Sequence, residues 1–397
     1  MASINFHDPS IELNELRNQL SYSKRIGFFL GAGTSKAVGI SDIKSLTDAV
    51  ETKLAGTAKK NFLKLKKELQ EDDKTKSITV EDLLDKVRLV RQITNEKKSK
   101  SFGDIDGEMA RELDFEICNK IYDVITEEER AADLSFAKQF VVWLNWSSRD
   151  FSKEIFTTNY DSVIERAMES LQIPFFDGFI GSNEPFFSAE SLESTAVEDK
   201  LPASWIRLWK IHGSLGWFWK KSNGENSYRV VRLGVGAKRL DANNELVIYP
   251  SKEKYESSRK QPFISYFDRL RSFLLDGEGL FLCSGYSFSD EHINSVIFNC
   301  LKQNNRLHLI GFFFSDEVVE KLEKSGMNFL NFSGFGPKTS VFRGKFFQWK
   351  KEKPDDLLKT FWDDKKGELT LGDFRELVRF LVTSSGRRGK IEAEVKP

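Results

Sequence analysis

Cysteine is scarce in this chain: three in 397 residues, Cys118, Cys283 and Cys300. They form no C-x-x-C pair, so a four-thiolate zinc site cannot be assembled and no metal site is expected. Two of the three stand in apolar contexts, which suits a reducing cytoplasm. Histidine is nearly as sparse, with His7, His212, His292 and His308. There is no excess of either charge, since 60 Lys and Arg balance 60 Asp and Glu. Without a global basic field, direct nucleic-acid binding is not expected. No apolar run reaches membrane-spanning length, and the first residues, MASINFHDPS, lack a signal peptide's apolar core. The expectation is a cytoplasmic chain with no membrane partner.

The chain is long enough to bury a sizeable core, in one large or two medium domains. Four strand-to-turn units carry its chemistry. In RIGFFLGAGTSKAVGIS an apolar strand, Ile26 to Leu30, runs into Gly31-Ala32-Gly33-Thr34-Ser35. The glycines let the backbone turn tightly and approach a ligand, with peptide amides and a helix N-terminus facing an anion, usually a pyrophosphate. Alone, a G-A-G turn is shorter than the full dinucleotide fingerprint and also suits an ordinary α/β core. In KEIFTTNYDSVIERAMES, Lys153 to Phe156 reads as a strand and Ser162 to Ser170 as a helix, with Ser162 and Glu165 as a capping box. Thr157, Thr158, Asn159 and Asp161 then fall at the C-terminal end of a strand, where open α/β sheets bind ligands. A plainer reading makes Asn159 and Asp161 a turn and an N-cap.

The third unit, RLWKIHGSLGW, ends a strand at His212-Gly213-Ser214. A histidine at a strand end is an acid/base candidate, because imidazole titrates near neutrality, although a structural histidine reads the same way. In the fourth, GLFLCSGYSFSDEHINSVIFNCLKQN, the strand Leu280 to Cys283 leads into Ser284-Gly285-Tyr286-Ser287. Ser289 or Asp290 caps a helix whose apolar face is Ile293, Val296, Ile297, Cys300 and Leu301. This second glycine turn is a second candidate cradle for a phosphate or ribose.

Residues from about 45 to 150 read as a helical insertion between the first and second core strands. Within it Val80, Leu83, Leu84, Val87 and Val90 form a stripe capped by Thr79 and Asp82. The strand–helix alternation over 153–335 predicts an α/β fold with a Rossmann-like parallel sheet and right-handed crossovers. The expected organisation is one domain over 1–335 and a short C-terminal extension over 336–397, its end a flexible tail.

Taken in order, the four units resemble the sirtuin family. That family's G-A-G-x-S phosphate loop is matched at Gly31 to Ser35, and its His-Gly pair at His212 and Gly213. Its T-Q-N-x-D segment is matched by Thr157, Asn159 and Asp161, with Thr158 in place of Gln. Asn159-Tyr160-Asp161, Lys210 to Ser214 and Gly285 to Asn294 are closer to the sirtuin-like proteins of bacterial antiphage defence, and Ile78 to Leu84 resembles a helix start of that group. The resemblance spans roughly residues 22 to 335. Two departures separate the chain from protein deacylases. No Cys lies between His212 and Cys283, where deacylases carry a structural zinc. That stretch instead alternates in YRVVRLGV and holds the turn signal Ser222-Asn223-Gly224. The G-I-P-D-F-R segment reads Gly39-Ile40-Ser41-Asp42-Ile43-Lys44, without the Pro or the Arg.

The resemblance implies NAD+ as substrate and no zinc. By it, Asn159, Asp161 and His212 are catalytic: Asp161 or its backbone meets the carboxamide, Asn159 holds ribose hydroxyls and a water, and His212 is the general base. Gly31, Ala32, Gly33, Thr34 and Ser35 carry the pyrophosphate, Ser284, Gly285 and Asn294 contact the phosphate and adenosine half, and Thr157 is a further cofactor contact. The implied activity is NAD+ hydrolysis to nicotinamide and ADP-ribose, depleting NAD+ in antiphage defence. The alternatives are a protein ADP-ribosyltransferase or deacylase, and a non-catalytic NAD or ADP-ribose-binding assembly module. The compact chain also resembles the NAD-cleaving subunit that pairs with a HerA-type ATPase. This implies a homo-oligomer, as a large ring, with a docking surface at Phe342 to Lys351, Phe361 and Trp362. An ordinary edge strand and helix is the other reading of that stretch.

Overall fold

All five residues of the strand Ile26–Leu30 are buried. Ile26, Phe28 and Leu30 pack into one apolar cluster and Phe29 into another, on the two faces of the sheet. The neighbouring strands divide the same way: Ile155 against Phe156, Leu208 against Trp209, Leu282 against Phe281 and Cys283. Continuous rather than alternating apolarity is what a parallel strand between two covered faces requires. The computed structural model describes residues 5–74, 77–147, 151–192, 202–221, 228–234, 244–248, 261–324, 329–352 and 356–395.

The main sheet has ten strands, in the order Phe6–His7, Lys345–Trp349, Thr339–Phe342, Phe332–Phe335, Leu307–Phe312, Gly279–Ser284, Ile26–Leu30, Glu154–Thr157, Ile206–Lys210, Phe175–Phe176. Consider six of the parallel strands, those that start at 26, 154, 206, 279, 307 and 332. Numbered along the chain, they stand side by side as 3-2-1-4-5-6. This is the doubly wound order of dinucleotide-binding sheets, with a crevice where the order reverses. Here the reversal falls between Ile26–Leu30 and Gly279–Ser284, paired in register from Leu280↔Ile26 to Ser284↔Leu30. The chain is therefore an α/β protein with a mostly parallel, Rossmann-like sheet, as the strand–helix alternation predicts.

The short helix Ala32–Lys36 and then Ile43–Lys53, Gly56–Asp72, Val80–Thr94, Gly107–Ala131 and Ser135–Trp146 stand between the first and second core strands. Val80–Thr94 starts on a capping box between Thr79 and Asp82 and buries the stripe Val80, Leu83, Leu84, Val87 and Val90. A second, antiparallel sheet joins Asn244–Ile248, Gly213–Lys221, Tyr228–Arg232, Phe186–Phe187 and Phe179–Ile180 in that spatial order. The turn signal Ser222-Asn223-Gly224 lies outside the described residues. Among the described residues no helix is long and apolar enough to cross a membrane.

The segment after 335 continues the core. Thr339–Phe342 and Lys345–Trp349 extend the main sheet with antiparallel pairing. Helix Phe374–Ser384 packs on Ser135–Trp146, where Phe140 meets Phe374 at 5.7 Å and Phe28 at 4.9 Å between ring centroids. The stretch expected as a flexible tail holds a helix over Arg388–Val395. Its one buried side chain, Ile391, anchors a charged segment against the same Ser135–Trp146 helix. Two of the aromatic residues expected on a docking surface are also inside. Phe361 packs against Phe380 with ring centroids 5.4 Å apart. Trp349 packs on Phe335 and donates Nε1–H to Gly336 O at 3.0 Å. Phe342, Phe346, Phe347 and Trp362 remain partly exposed.

Candidate functional site

Four strand ends converge on one cleft of about 870 Å³ at the reversal point. Ala32 and Ser35 reach it from the first core strand, Thr158 to Asp161 from the second, His212 from the third, and Gly285, Tyr286 and Asp290 from the fourth. The helical insertion adds a further wall with Ile43, Thr79, Glu81, Asp82 and Ile125.

The two glycine turns interlock. Gly31 N–H donates to Ser284 O at 2.9 Å, and Gly33 N–H to Gly285 O at 3.0 Å. A Cβ on Gly31 would meet Gly285 O at 2.4 Å, one on Gly33 would meet Gly285 Cα at 2.7 Å, and one on Gly285 would meet Thr34 N at 2.5 Å. Gly285 also holds φ +66°, in the left-handed region. These glycines let two backbones touch. The amides of Gly31 and Gly33, expected to face an anion, donate to the neighbouring turn instead, and Ala32, Ser35 and Gly285 line the cleft. Thr34 and Thr157 sit beneath it, around a small separate void with Lys210 and Phe374.

The second strand end is tied to the first. Thr157 Oγ1 donates to Leu30 O at 2.8 Å and accepts from Asn159 N–H at 3.0 Å. Asn159 Nδ2 donates to Gly31 O at 3.0 Å and to Thr34 Oγ1 at 2.9 Å, which orients its amide. Asp161 accepts from Ser35 Oγ on Oδ2 at 2.6 Å and from Val163 N–H on Oδ1 at 3.1 Å. Its main-chain carbonyl accepts from Lys210 Nζ, which also pairs with Glu165 at 2.7 Å. Burial pushes the Glu165 carboxyl up, and the Lys210 ammonium opposes it.

The expected capping box of Ser162 and Glu165 does not form, because long-range partners claim both side chains. Ser162 gives its N–H and its hydroxyl to the two carboxylate oxygens of Glu129, each at 2.6 Å. Burial raises the pKa of Glu129, and these two hydrogen bonds oppose the rise. Glu128 accepts from Ser41 N–H at 2.9 Å. Neighbouring carboxylates of helix Gly107–Ala131 thus clamp the insertion to the turns on either side of the cleft.

His212 is buried, with Nε2 3.3 Å from Asp290 Oδ2. Asp290 is the N-cap of helix Glu291–Gln303, taking His292 N–H at 3.0 Å and Ile293 N–H at 3.3 Å on Oδ1. From sequence this residue reads only as a cap. The available signal was its position, five residues after a glycine turn at the reversal point. Two further expected cofactor contacts also lie outside the cleft lining. Ser284 is fully buried in its strand and does not line the cleft. Asn294 supports the turn from behind: its Nδ2 donates to Phe288 O at 2.8 Å, and its Oδ1 accepts from Tyr286 OH at 2.9 Å.

The lining carries the carboxylates Glu81, Asp82, Asp161, Asp290 and Glu291 with His212 and His292, and among the described residues no Lys or Arg. Such a wall suits hydroxyls, an amide and a positively charged ring, and offers an imidazole as base. Among the described residues no group of three or more His, Cys, Asp and Glu is placed to hold a metal ion.

Residues 153–331 match the family model of the SIR2-like domain. This stretch holds Asn159, Asp161, His212 and Gly285 and starts after the first glycine turn. No curated protein is significantly similar in sequence. Among solved structures, a Sir2 homologue–NAD complex is similar at 13% identity, covering 81% of this chain and 97% of that one with a TM-score of 0.39. A Sir2-homologue mutant complexed with 2′-O-acetyl ADP-ribose is similar at 12% identity, covering 75% and 83% with a TM-score of 0.37. At these scores neither likeness bears on the chemistry of the cleft.

Proposed function

We propose that the chain is an NAD+ glycohydrolase, cleaving the nicotinamide–ribose bond to give nicotinamide and ADP-ribose. One observation carries the reading: Asn159, Asp161 and His212 meet the Gly285 turn at the reversal point of a 3-2-1-4-5-6 sheet, where such sheets bind dinucleotides. The SIR2-like match over those residues supports it.

Cleavage breaks the ribose–ring nitrogen bond, and its electron pair stays on nicotinamide. The ring is cationic before the step and neutral after it, so the leaving group needs no strong acid. Water adds at the anomeric carbon and loses one proton. His212 is the base that takes this proton, a role worth about 10²–10⁴-fold. Asn159, its amide oriented by Gly31 and Thr34, holds ribose hydroxyls and that water. Asp161 shapes the turn beside it. Glu81, Asp82, Asp290 and Glu291 surround the cleft with negative charge, which favours a cationic ring and an oxocarbenium-like ribose. The phosphate side falls to Ala32, Ser35 and the Gly285 turn.

Purified protein incubated with NAD+, with nicotinamide release followed with and without protein acceptors, tests the reading. Release without an acceptor supports the hydrolase. Release only with one favours a transferase or deacylase, and binding without release an assembly module. The proposed setting is cytoplasmic antiphage defence by NAD+ depletion, with activity gated by a homo-oligomeric ring and a HerA-type ATPase. Its support is the resemblance at Asn159–Asp161, Lys210–Ser214 and Gly285–Asn294. Light scattering at micromolar concentration that finds a clean monomer would overturn the ring. Zinc content is the companion measurement: one zinc per chain would revive the deacylase.

A further inference from the structure

His212 and Asp290 come from different strand ends, 78 positions apart in sequence, and both side chains are nearly enclosed, at 10% and 11% exposure. The carboxylate has two distinct tasks. Oδ1 takes the first amides of helix Glu291–Gln303, at His292 and Ile293, while Oδ2 stands 3.3 Å from His212 Nε2. A cap held by two amides cannot swing away, so the acceptor beside the imidazole is fixed by the start of a 13-residue helix. A carboxylate beside one ring nitrogen keeps the proton on that nitrogen and selects the tautomer.

We infer that Asp290 is the positioning residue of His212: it orients the ring and holds the proton on Nε2, which leaves the lone pair of the neutral imidazole on Nδ1. The inference rests on the NAD+-cleavage reading for its kinetic consequence, and on geometry alone for the tautomer. Asp290 does not have to touch substrate.

Asn and Ser cap helices about as well as Asp, so Asp290→Asn and Asp290→Ser keep the helix start and remove the charge. Imidazole ¹⁵N shifts of selectively labelled full-length protein without ligand report the tautomer directly. The wild type should show His212 with the proton on Nε2, and both variants a gain of the Nδ1–H form. Nicotinamide release should fall about 10²-fold or more in kcat, with KM within about threefold, as expected when a histidine loses the group that orients it. Melting temperatures close to wild type would show that capping is retained. A wild-type His212 protonated on Nδ1, or variants with unchanged tautomer and unchanged kcat, would overturn the inference. If the wild type releases no nicotinamide, the functional reading fails while the tautomer measurement still decides the pairing.

Discussion

Ser35 Oγ donates to Asp161 Oδ2 over 2.6 Å, joining the first glycine turn to the turn after the second core strand. The other carboxylate oxygen takes Val163 N–H at 3.1 Å. Both oxygens are thus engaged inside the protein. Asp161 is a strut of the cleft, whereas His212 lines it with Nε2 3.3 Å from Asp290 Oδ2.

That difference separates two variants. Asp161→Ala leaves Ser35 Oγ and Val163 N–H without their acceptor and should cost about 1–3 kcal/mol of stability along with activity. His212→Ala should lower nicotinamide release about 10²–10⁴-fold with little change in melting temperature. Calorimetry and the release assay on the same preparations check both. A folded His212→Ala protein with wild-type turnover would remove His212 from the mechanism.

Gly285→Ala places a Cβ 2.5 Å from Thr34 N at a residue with φ +66°. The backbone strain alone is on the order of 1–3 kcal/mol, and the two turns must part to relieve it. Titration calorimetry should show NAD+ binding weakened by tenfold or more. Unchanged affinity would mean that the interlock does not shape the ligand cradle.

His308 predicts a pH dependence far from the cleft. It contacts Gln19 Oε1 at 2.8 Å and Ser333 Oγ at 3.0 Å, and burial lowers its pKa from 6.5 to about 4. As pH falls from 6.5 toward 4, the unfolded chain gains a proton that the folded chain does not. Stability from this group is therefore full above pH 6.5 and falls by about 2–3 kcal/mol on the way down. His308→Gln preserves polar contacts and should flatten that part of the curve. Urea unfolding at pH 7.5 and 4.5 measures it, and identical losses in both proteins would argue against His308.

Phe374 lines the void under Thr34 and Asn159 and is buried at 3% exposure. Phe374→Ala should cost about 3–5 kcal/mol. Removing residues from 336 onward strips two sheet strands and this helix, so such a truncation should be insoluble. A soluble, cooperatively folding truncation would show that the segment is a detachable extension.

The apolar runs, the glycine turns and the Thr79–Asp82 cap were legible because each is local chemistry. A five-residue strand buried on both faces needs five apolar-compatible positions in a row, and a cap needs a polar residue three positions from its partner. The 3-2-1-4-5-6 order also follows from strand–helix alternation with right-handed crossovers, once the reversal point is chosen. The partners within the cleft were not legible. Ser35 finds Asp161 across 126 positions, Ser162 leaves its local cap for Glu129, and Asn159 bonds to Gly31 across 128 positions. Asp290 looks like any N-cap until the fold sets it beside His212. Phe361 sits in a charged, aromatic stretch and Ile391 in a charged one, and neither pattern says which side faces in. Periodicity reports which backbone a segment adopts. Which side chains then share a hydrogen bond depends on how strand ends far apart in sequence are stacked, and only the packed sheet decides that.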